Sequence, residues 1–433
     1  MDFLITKIKT VYAGYKKNKE FNSLVEKLSN NKSTDSFAVL SKLTSFFNDL
    51  HLVLYDYKSI KIFDPVFCEK QKQELIAYLN DKKILKNKFE GYWQSELGNC
   101  IIGLRKVSDL PLTYKGYVVE TTSKAIPGYC ILELTETGKG YYYTDYKEEG
   151  LAYRIILRSK FKGSNTLLVN SYGKWSKLNV YDSGNLAKVK AFGYKPEFRR
   201  IDSATVVLKL PDFGGYNIKR TDSIIIANEK SITSAKTLIL DIRNNMGGTI
   251  RNYLSLVPYV CNNDIIRSAC YQLCSNDIIE DVKSDIIYYA KKKDTLALTE
   301  SKNNLAKMEN NFNKFLYLKG DTLFCSYKQN NIQHVAIIAN NICLSAAELM
   351  ILDFKQSSKV KIFGETTGGA VDNLDALKID LPSEKYTLFV ATSKRSLTAT
   401  QPAYDGIGIK PDIVIPDNNP DWIGFVKKYY EKK

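Results

Sequence analysis

The chain has 433 residues, 44% of them hydrophobic, and a formal net charge of +15. That length predicts two to three domains around a sizeable core, and no apolar run approaches the ~20 residues of a membrane span. The lysines are scattered through amphipathic segments, with no Arg-rich block or nucleic-acid motif, so the charge reads as solvated surface and argues against a nucleic-acid partner.

Residues 1–85 read as a helical region. Phe21, Leu24, Val25 and Leu28 repeat at helical spacing, and Asn31-Lys-Ser-Thr-Asp35 breaks the pattern before a second helix. Residues 49–63 alternate like a strand pair, and a connecting helix follows near 65–82. Residues 86–200 change to short strands between Gly, Asn and Lys turns, such as Gly140-Tyr-Tyr-Tyr-Thr and Ala152-Tyr-Arg-Ile-Ile-Leu, which predicts an all-β module of barrel or sandwich type. Gly91-Tyr-Trp93 at its start is similar to the Gly-x-Trp of lipocalin-like barrels. Residues 201–433 alternate strands and helices. Within them, 261–330 is polar with helical periodicity and reads as an insert or lid. No repeat or low-complexity tract appears.

The eight cysteines show no Cys-x-x-Cys pair and no Cys/His ligand spacing, so no metal and no disulfide scaffold is expected. Cys270 and Cys274, four apart, read as one helix face, and Cys343 as a buried thiol. The opening Met1-Asp-Phe-Leu-Ile-Thr-Lys lacks the charged, apolar and cleavage regions of a signal peptide.

Four blocks carry the chemistry. In the first, Thr237-Leu-Ile-Leu-Asp241-Ile-Arg243-Asn-Asn-Met-Gly247-Gly248, an apolar strand runs into a turn whose glycines let backbone N–H groups approach a ligand. In the second, the strand His334-Val-Ala-Ile-Ile-Ala leads through Asn341-Ile-Cys-Leu-Ser345-Ala346-Ala-Glu348 into a helix. A serine on such a turn has its hydroxyl exposed beside helix N-terminal amides, a good setting for a nucleophile whose intermediate carries an oxyanion. The plainer reading is a helix cap, with Glu348 completing a capping box. The third block is Gly364-Glu-Thr-Thr-Gly-Gly-Ala370, and the fourth is Asp405-Gly-Ile-Gly408-Ile-Lys-Pro411-Asp412.

In this order the four blocks resemble the S41 serine peptidases, the family of the tail-specific (C-terminal processing) proteases and the tricorn core protease. The resemblance covers about 200–260 and 333–416, with a weaker match near His51. It implies an α/β (α+β) multidomain protein with a ClpP/crotonase-like core, and a serine endopeptidase acting on extended or unfolded polypeptides without a cofactor. In the tail-specific branch a lysine follows the nucleophile by 25 residues; here that position is Ala370. The tricorn-like branch uses a histidine, and this chain has only two. His334 begins the strand leading to Ser345 and is badly placed. His51, in Asp49-Leu-His51, is similar to the Asp-Gly-His segment of that branch, with Leu50 in place of the Gly. The family's acid position falls on Asp405, although Asp-Gly is also an ordinary turn pair.

The resemblance therefore implies Ser345 as nucleophile, His51 as base and Asp405 as the acid that orients it. The oxyanion would lie on the amides of Ala346, Gly247 and Gly248, with Asp241, Arg243 and Glu348 in support. No carboxylate loop of a PDZ domain is found. Relatives of this type are usually exported, which implies the periplasm or cell envelope. A non-catalytic protein that binds peptides or apolar ligands on the same fold is the alternative, since the branch lysine is absent.

Overall fold

The computed structural model describes residues 1–432 except 31–32, 34, 59–63, 97–98, 139, 148–152, 170–172, 182–185, 187–194, 327–329, 399–400 and 417–418. The chain forms two compact units. One comprises 1–192, 275–285 and 375–392; the other comprises 193–274, 286–374 and 393–433.

The first unit starts with helices Asp2–Thr10, Lys19–Ser29 and Ser36–Ser45. The second of these is capped by Asn18, whose side-chain oxygen accepts from Glu20 N at 2.8 Å and Phe21 N at 3.3 Å. It buries Phe21 and Leu28, two of the four residues at helical spacing, and the Phe21 ring meets Phe46 and Phe47. Asp35 caps the third helix through Ala38 N at 3.0 Å. Of the break at 31–35, residues 31, 32 and 34 lie outside the described residues, as do 59–63 of the expected strand pair and Ala152. The strand Leu52–Asp56 pairs antiparallel with Tyr386–Val390.

Eight strands then follow in meander order: β1 (Gly91–Ser95), β2 (Cys100–Asp109), β3 (Leu112–Thr121), β4 (Cys130–Gly138), β5 (Tyr141–Lys147), β6 (Arg154–Lys162), β7 (Thr166–Val169) and β8 (Gly173–Lys177). Each pairs antiparallel with the next, and β8 returns to β1 through Ser95↔Trp175, closing a barrel. Closure removes the open edges that an eight-stranded sheet would otherwise expose. Along β5, Tyr142, Thr144 and Tyr146 are buried while their neighbours are not, the period of two that a half-buried strand requires. The helix Pro65–Asn80 lies on the barrel's outside, with Leu75 and Leu79 packed against Ile101 and Val119. Gly103 permits that approach: a Cβ there would meet Leu75 Cδ2 at 2.6 Å.

The second unit is built on a six-stranded sheet in the order β9 (Glu197–Arg200), β10 (Thr205–Lys209), β11 (Thr237–Asp241), β12 (His334–Ala339), β13 (Val360–Gly364) and β14 (Ile413–Val414). All pairs are parallel except β9–β10. β11 and β12 are covered on both faces and therefore read as continuous apolar runs. Leu238, Leu240, Val335 and Ile337 face the Ala346–Phe354 helix side; Ile239, Ala336 and Ile338 face the Trp422–Glu431 helix. In register, Asp241 lies beside Ile338 and Ala339 beside Gly364. The turns after β11, β12 and β13 therefore leave one carboxyl edge together, the edge where open parallel sheets bind ligands.

The stretch 261–330 holds the helices Asn276–Lys292 and Thr295–Glu309. It is not wholly helical. Cys270–Leu273 is a strand, paired with Phe315–Leu318, so Cys270 and Cys274 share no helix face. The local alternation of side chains there was too short to outweigh the helical period around it. Among the described residues no helix is long and apolar enough to cross a membrane.

Candidate active site

Buried asparagines join the turns after β11 and β12. Asn340 Oδ1 accepts from Asn244 N at 2.9 Å, and Asn340 Nδ2 donates to Asn244 Oδ1 at 2.6 Å. Asn245 donates from Nδ2 to Leu210 O at 2.8 Å, accepts from Gly247 N at 2.9 Å on Oδ1, and accepts from Leu344 N at 3.0 Å on its carbonyl. Arg243 forks onto Asp241 at 2.8 and 2.7 Å, which fixes the exit of β11, and its guanidinium lies over the Trp422 ring. Neither Asn245 nor Asn340 was singled out from sequence. The only signal was two adjacent asparagines before a Gly-Gly pair.

Ser345 sits at the start of the Ala346–Phe354 helix with φ 52° and ψ −121°, a backbone conformation that non-glycine residues rarely adopt. Its side chain caps no helix amide, so the hydroxyl half of the expected capping box is not formed. The Gly247 turn lies directly against it. A Cβ on Gly247 would stand 2.8 Å from Ser345 Cβ, 2.8 Å from Leu344 O and 3.0 Å from Ala346 N, and its φ of 92° favours glycine independently. Among the described residues nothing accepts from the Ala346 or Gly248 N–H, and Gly248 is exposed. The Gly247 N–H, expected to share the oxyanion, is given to Asn245. The two uncommitted donors are therefore Ala346 and Gly248. Cys343, two residues before the serine, is fully buried, donates to Ile242 O at 3.0 Å, and has its thiol pKa pushed far up by burial. It is inert.

Glu348 is completely buried one turn into the helix. Its carboxylate accepts from the Thr367 hydroxyl, from Gly369 N at 3.0 Å and from Ala370 N at 2.7 Å. Burial raises its pKa to about 7, and those hydrogen bonds, with one from the Ser345 amide, hold the rise in check. Thr367 Oγ1 in turn accepts from Ile409 N at 2.7 Å. Asp405 clasps the continuation of the same loop, accepting from Val371 N, Asp372 N and Asn373 N at 2.6, 2.7 and 3.0 Å and from Asn373 Nδ2 at 2.9 Å. Asp372 reciprocates by accepting from Asp405 N at 2.8 Å while pairing with Arg395 at 2.6 Å.

His51 belongs to the first unit. Asp49 shapes its segment, accepting from His51 N at 2.7 Å and from the Tyr12 hydroxyl at 2.7 Å. His51 O accepts from Ala391 N at 2.7 Å, and the imidazole lies 6.1 Å from the Phe389 ring. Its Nδ1 is buried with no hydrogen-bond partner among the described residues. The other histidine, His334, stacks on Tyr430 at 4.4 Å at the far end of β12, about a strand's length from the Ser345 turn.

The family model of peptidase family S41 matches residues 204–415, which takes in all the turns just described. Among solved structures, the chain is similar to mature CPAF, with a TM-score of 0.51 and 12% identity over 100% of this chain and 94% of that one. A mutant form of CPAF gives 0.52 and 13%, covering 100% and 95%. A putative peptidase from Parabacteroides merdae gives 0.46 and 12%, covering 100% and 94%. For the two CPAF structures, at these identities, the likeness is one of fold. No curated protein matches the sequence.

Proposed function

Because the chain belongs to peptidase family S41, the serine peptidases whose family model spans the Ser345 corner and the turns around it, we propose that it hydrolyses peptide bonds with Ser345 as nucleophile and His51 as general base. Ser345 attacks the scissile carbonyl, His51 takes the hydroxyl proton and passes it to the leaving amine, and the amides of Ala346 and Gly248 receive the oxyanion. Asp405, held rigid by donors from residues 371–373, is the negative charge assigned to steady the imidazolium. Asp241 and Arg243 hold the turn that carries Gly247 and Gly248.

The observation that carries this reading is the Ser345 corner. A non-glycine residue is held at φ 52° where its hydroxyl caps nothing, beside two uncommitted amides. A helix cap would have used the hydroxyl. Ala370 offers no base, which leaves the imidazole of His51 for that task. The proposed substrates are extended or unfolded polypeptides, laid along a strand edge, in the periplasm or cell envelope as in exported relatives. The test is cleavage of an unfolded protein and a peptide library by wild type, Ser345→Ala and His51→Ala. Loss of cleavage in both variants is expected. Cleavage surviving in Ser345→Ala would overturn the assignment.

A further inference from the structure

A cavity of about 580 Å³ lies wholly within the second unit, beside the Ala346–Phe354 helix. Its walls include residues that flank all four motif blocks. Ile250 follows Gly248, Leu349 and Leu352 follow Ser345, Leu374 follows the 371–373 loop, and Tyr404 precedes Asp405. At about 100° per residue, Leu349 and Leu352 lie about 60° apart around the helix axis, so they line one face of it, and Leu349 follows Ser345 by about one turn. The cavity is therefore lined by residues that adjoin the turns carrying Ser345 and Gly248, two residues beyond the glycine and one helical turn beyond the serine.

The walls are largely apolar, and two of their three cations are paired. Arg267 is neutralised by Asp353 at 2.6 Å, which also accepts from the Tyr253 hydroxyl at 2.8 Å. Arg395 is neutralised by Asp372 at 2.6 Å. Lys355 is exposed and rests on Tyr404, 3.2 Å from its hydroxyl. Leu349, Leu352, Ile250 and Leu374 are only half-buried, so each offers unfilled apolar surface. The volume falls within the roughly 300–1,000 Å³ of ligand pockets, ample for a large side chain.

We propose that this cavity is the specificity pocket of the proposed peptidase, taking a large apolar substrate side chain beside the scissile bond, with Leu349 and Leu352 setting its depth. It rests on the reading of Ser345 as nucleophile, and the test separates the two. Fluorescein-labelled peptides of one polar sequence, carrying Phe, Leu, Ala or Asp at a single position, are titrated by anisotropy onto Ser345→Ala protein, where catalysis plays no part. Burial of one large apolar side chain predicts that the Phe and Leu peptides bind about tenfold or more tighter than Ala or Asp. Leu352→Trp, which fills the cavity, reduces that preference to within about twofold, and Leu374→Trp, at a second lining position, does the same. Equal affinity for Phe and Ala peptides, or a preference unchanged by both folded variants, overturns the proposal even if the wild type cleaves. A preference abolished by the variants in a protein whose wild type cleaves nothing upholds the pocket and sinks the peptidase reading instead.

Discussion

The barrel and the carboxyl edge of the sheet handle backbone strain in opposite ways. Between Gly91 and Lys177, every described residue with φ in the left-handed region is a glycine. At the carboxyl edge, Asn244 at φ 64° and Ser345 at φ 52° hold such conformations with side chains attached. The polar interiors differ too. Where the barrel pairs buried polar groups it does so locally: Thr144 bonds Ser159 across adjacent strands, and Trp93 Nε1 donates to Phe89 O at 2.9 Å. The edge buries Asn245, Asn340 and Glu348, and spends them on the backbone of neighbouring turns. Strain at a non-glycine residue persists only when its surroundings over-determine it, and here the surroundings are those three side chains. The barrel is built for stability, and the edge is built to hold amides and a hydroxyl in place.

The comparison breaks most sharply at Ser345. Ser345→Ala is expected to lower kcat by about 10⁶-fold, as loss of a serine nucleophile does, while the urea midpoint hardly moves. The barrel should answer the other way. Trp175 is 1% exposed at the strand that closes the barrel, and Trp175→Ala should cost about 3–5 kcal/mol of stability, measured by urea unfolding. A loss under 1 kcal/mol would show that closure does not depend on that filling.

Gly247→Ala tests whether the edge's precision lies in the glycine turn. The added methyl presses on Leu344 O, Ser345 Cβ and Ala346 N from 3.0 Å or less, and it displaces the amides proposed for the oxyanion. The expected outcome is a fall in kcat of about 10²–10³ with KM little changed. A rise in KM alone would place the turn in ground-state binding instead.

How much of this could be read from the chain follows from the range of the interactions involved. The strand-to-helix turn at Ser345 is local: an apolar run, a small-residue turn and a helical run in sequence, so it was legible. The all-β character of residues 91–177 was legible for the same reason. Its closure was not, because β8 meets β1 across some eighty residues, and only Gly91-Tyr-Trp93 hinted at a barrel. The Asn244–Asn340 pair spans 96 positions and has no local signature. Glu348 shows the limit within a single motif. A capping box predicts only that it accepts from the Ser345 amide of its own helix, which it does, but its carboxylate also reaches the 367–370 loop, a tertiary contact that the three-residue spacing does not reveal.

Glu348 also gives the finest test of the edge, through pH. Its pKa rises from 4.5 to about 7 on folding because burial penalises the charged form. A carboxyl with a raised folded pKa makes its full contribution to stability below the unfolded value. It loses that contribution as pH climbs through the folded one, because between the two the native state binds more protons than the unfolded chain. The window is therefore about pH 4.5 to 7, and the change is on the order of 3 kcal/mol at 1.36 kcal/mol per unit. Other carboxylates titrate nearby, so the quantity to follow is the difference from Glu348→Gln, which keeps the shape and does not ionise. The variant should gain on wild type steadily between pH 5 and pH 7 and then level off. If ionised Glu348 instead stabilises the fold through the donors of Thr367, Gly369 and Ala370, the variant loses ground over the same interval. The sign alone decides which of the two forces, desolvation or the clamp on the loop, governs the helix turn that carries Ser345.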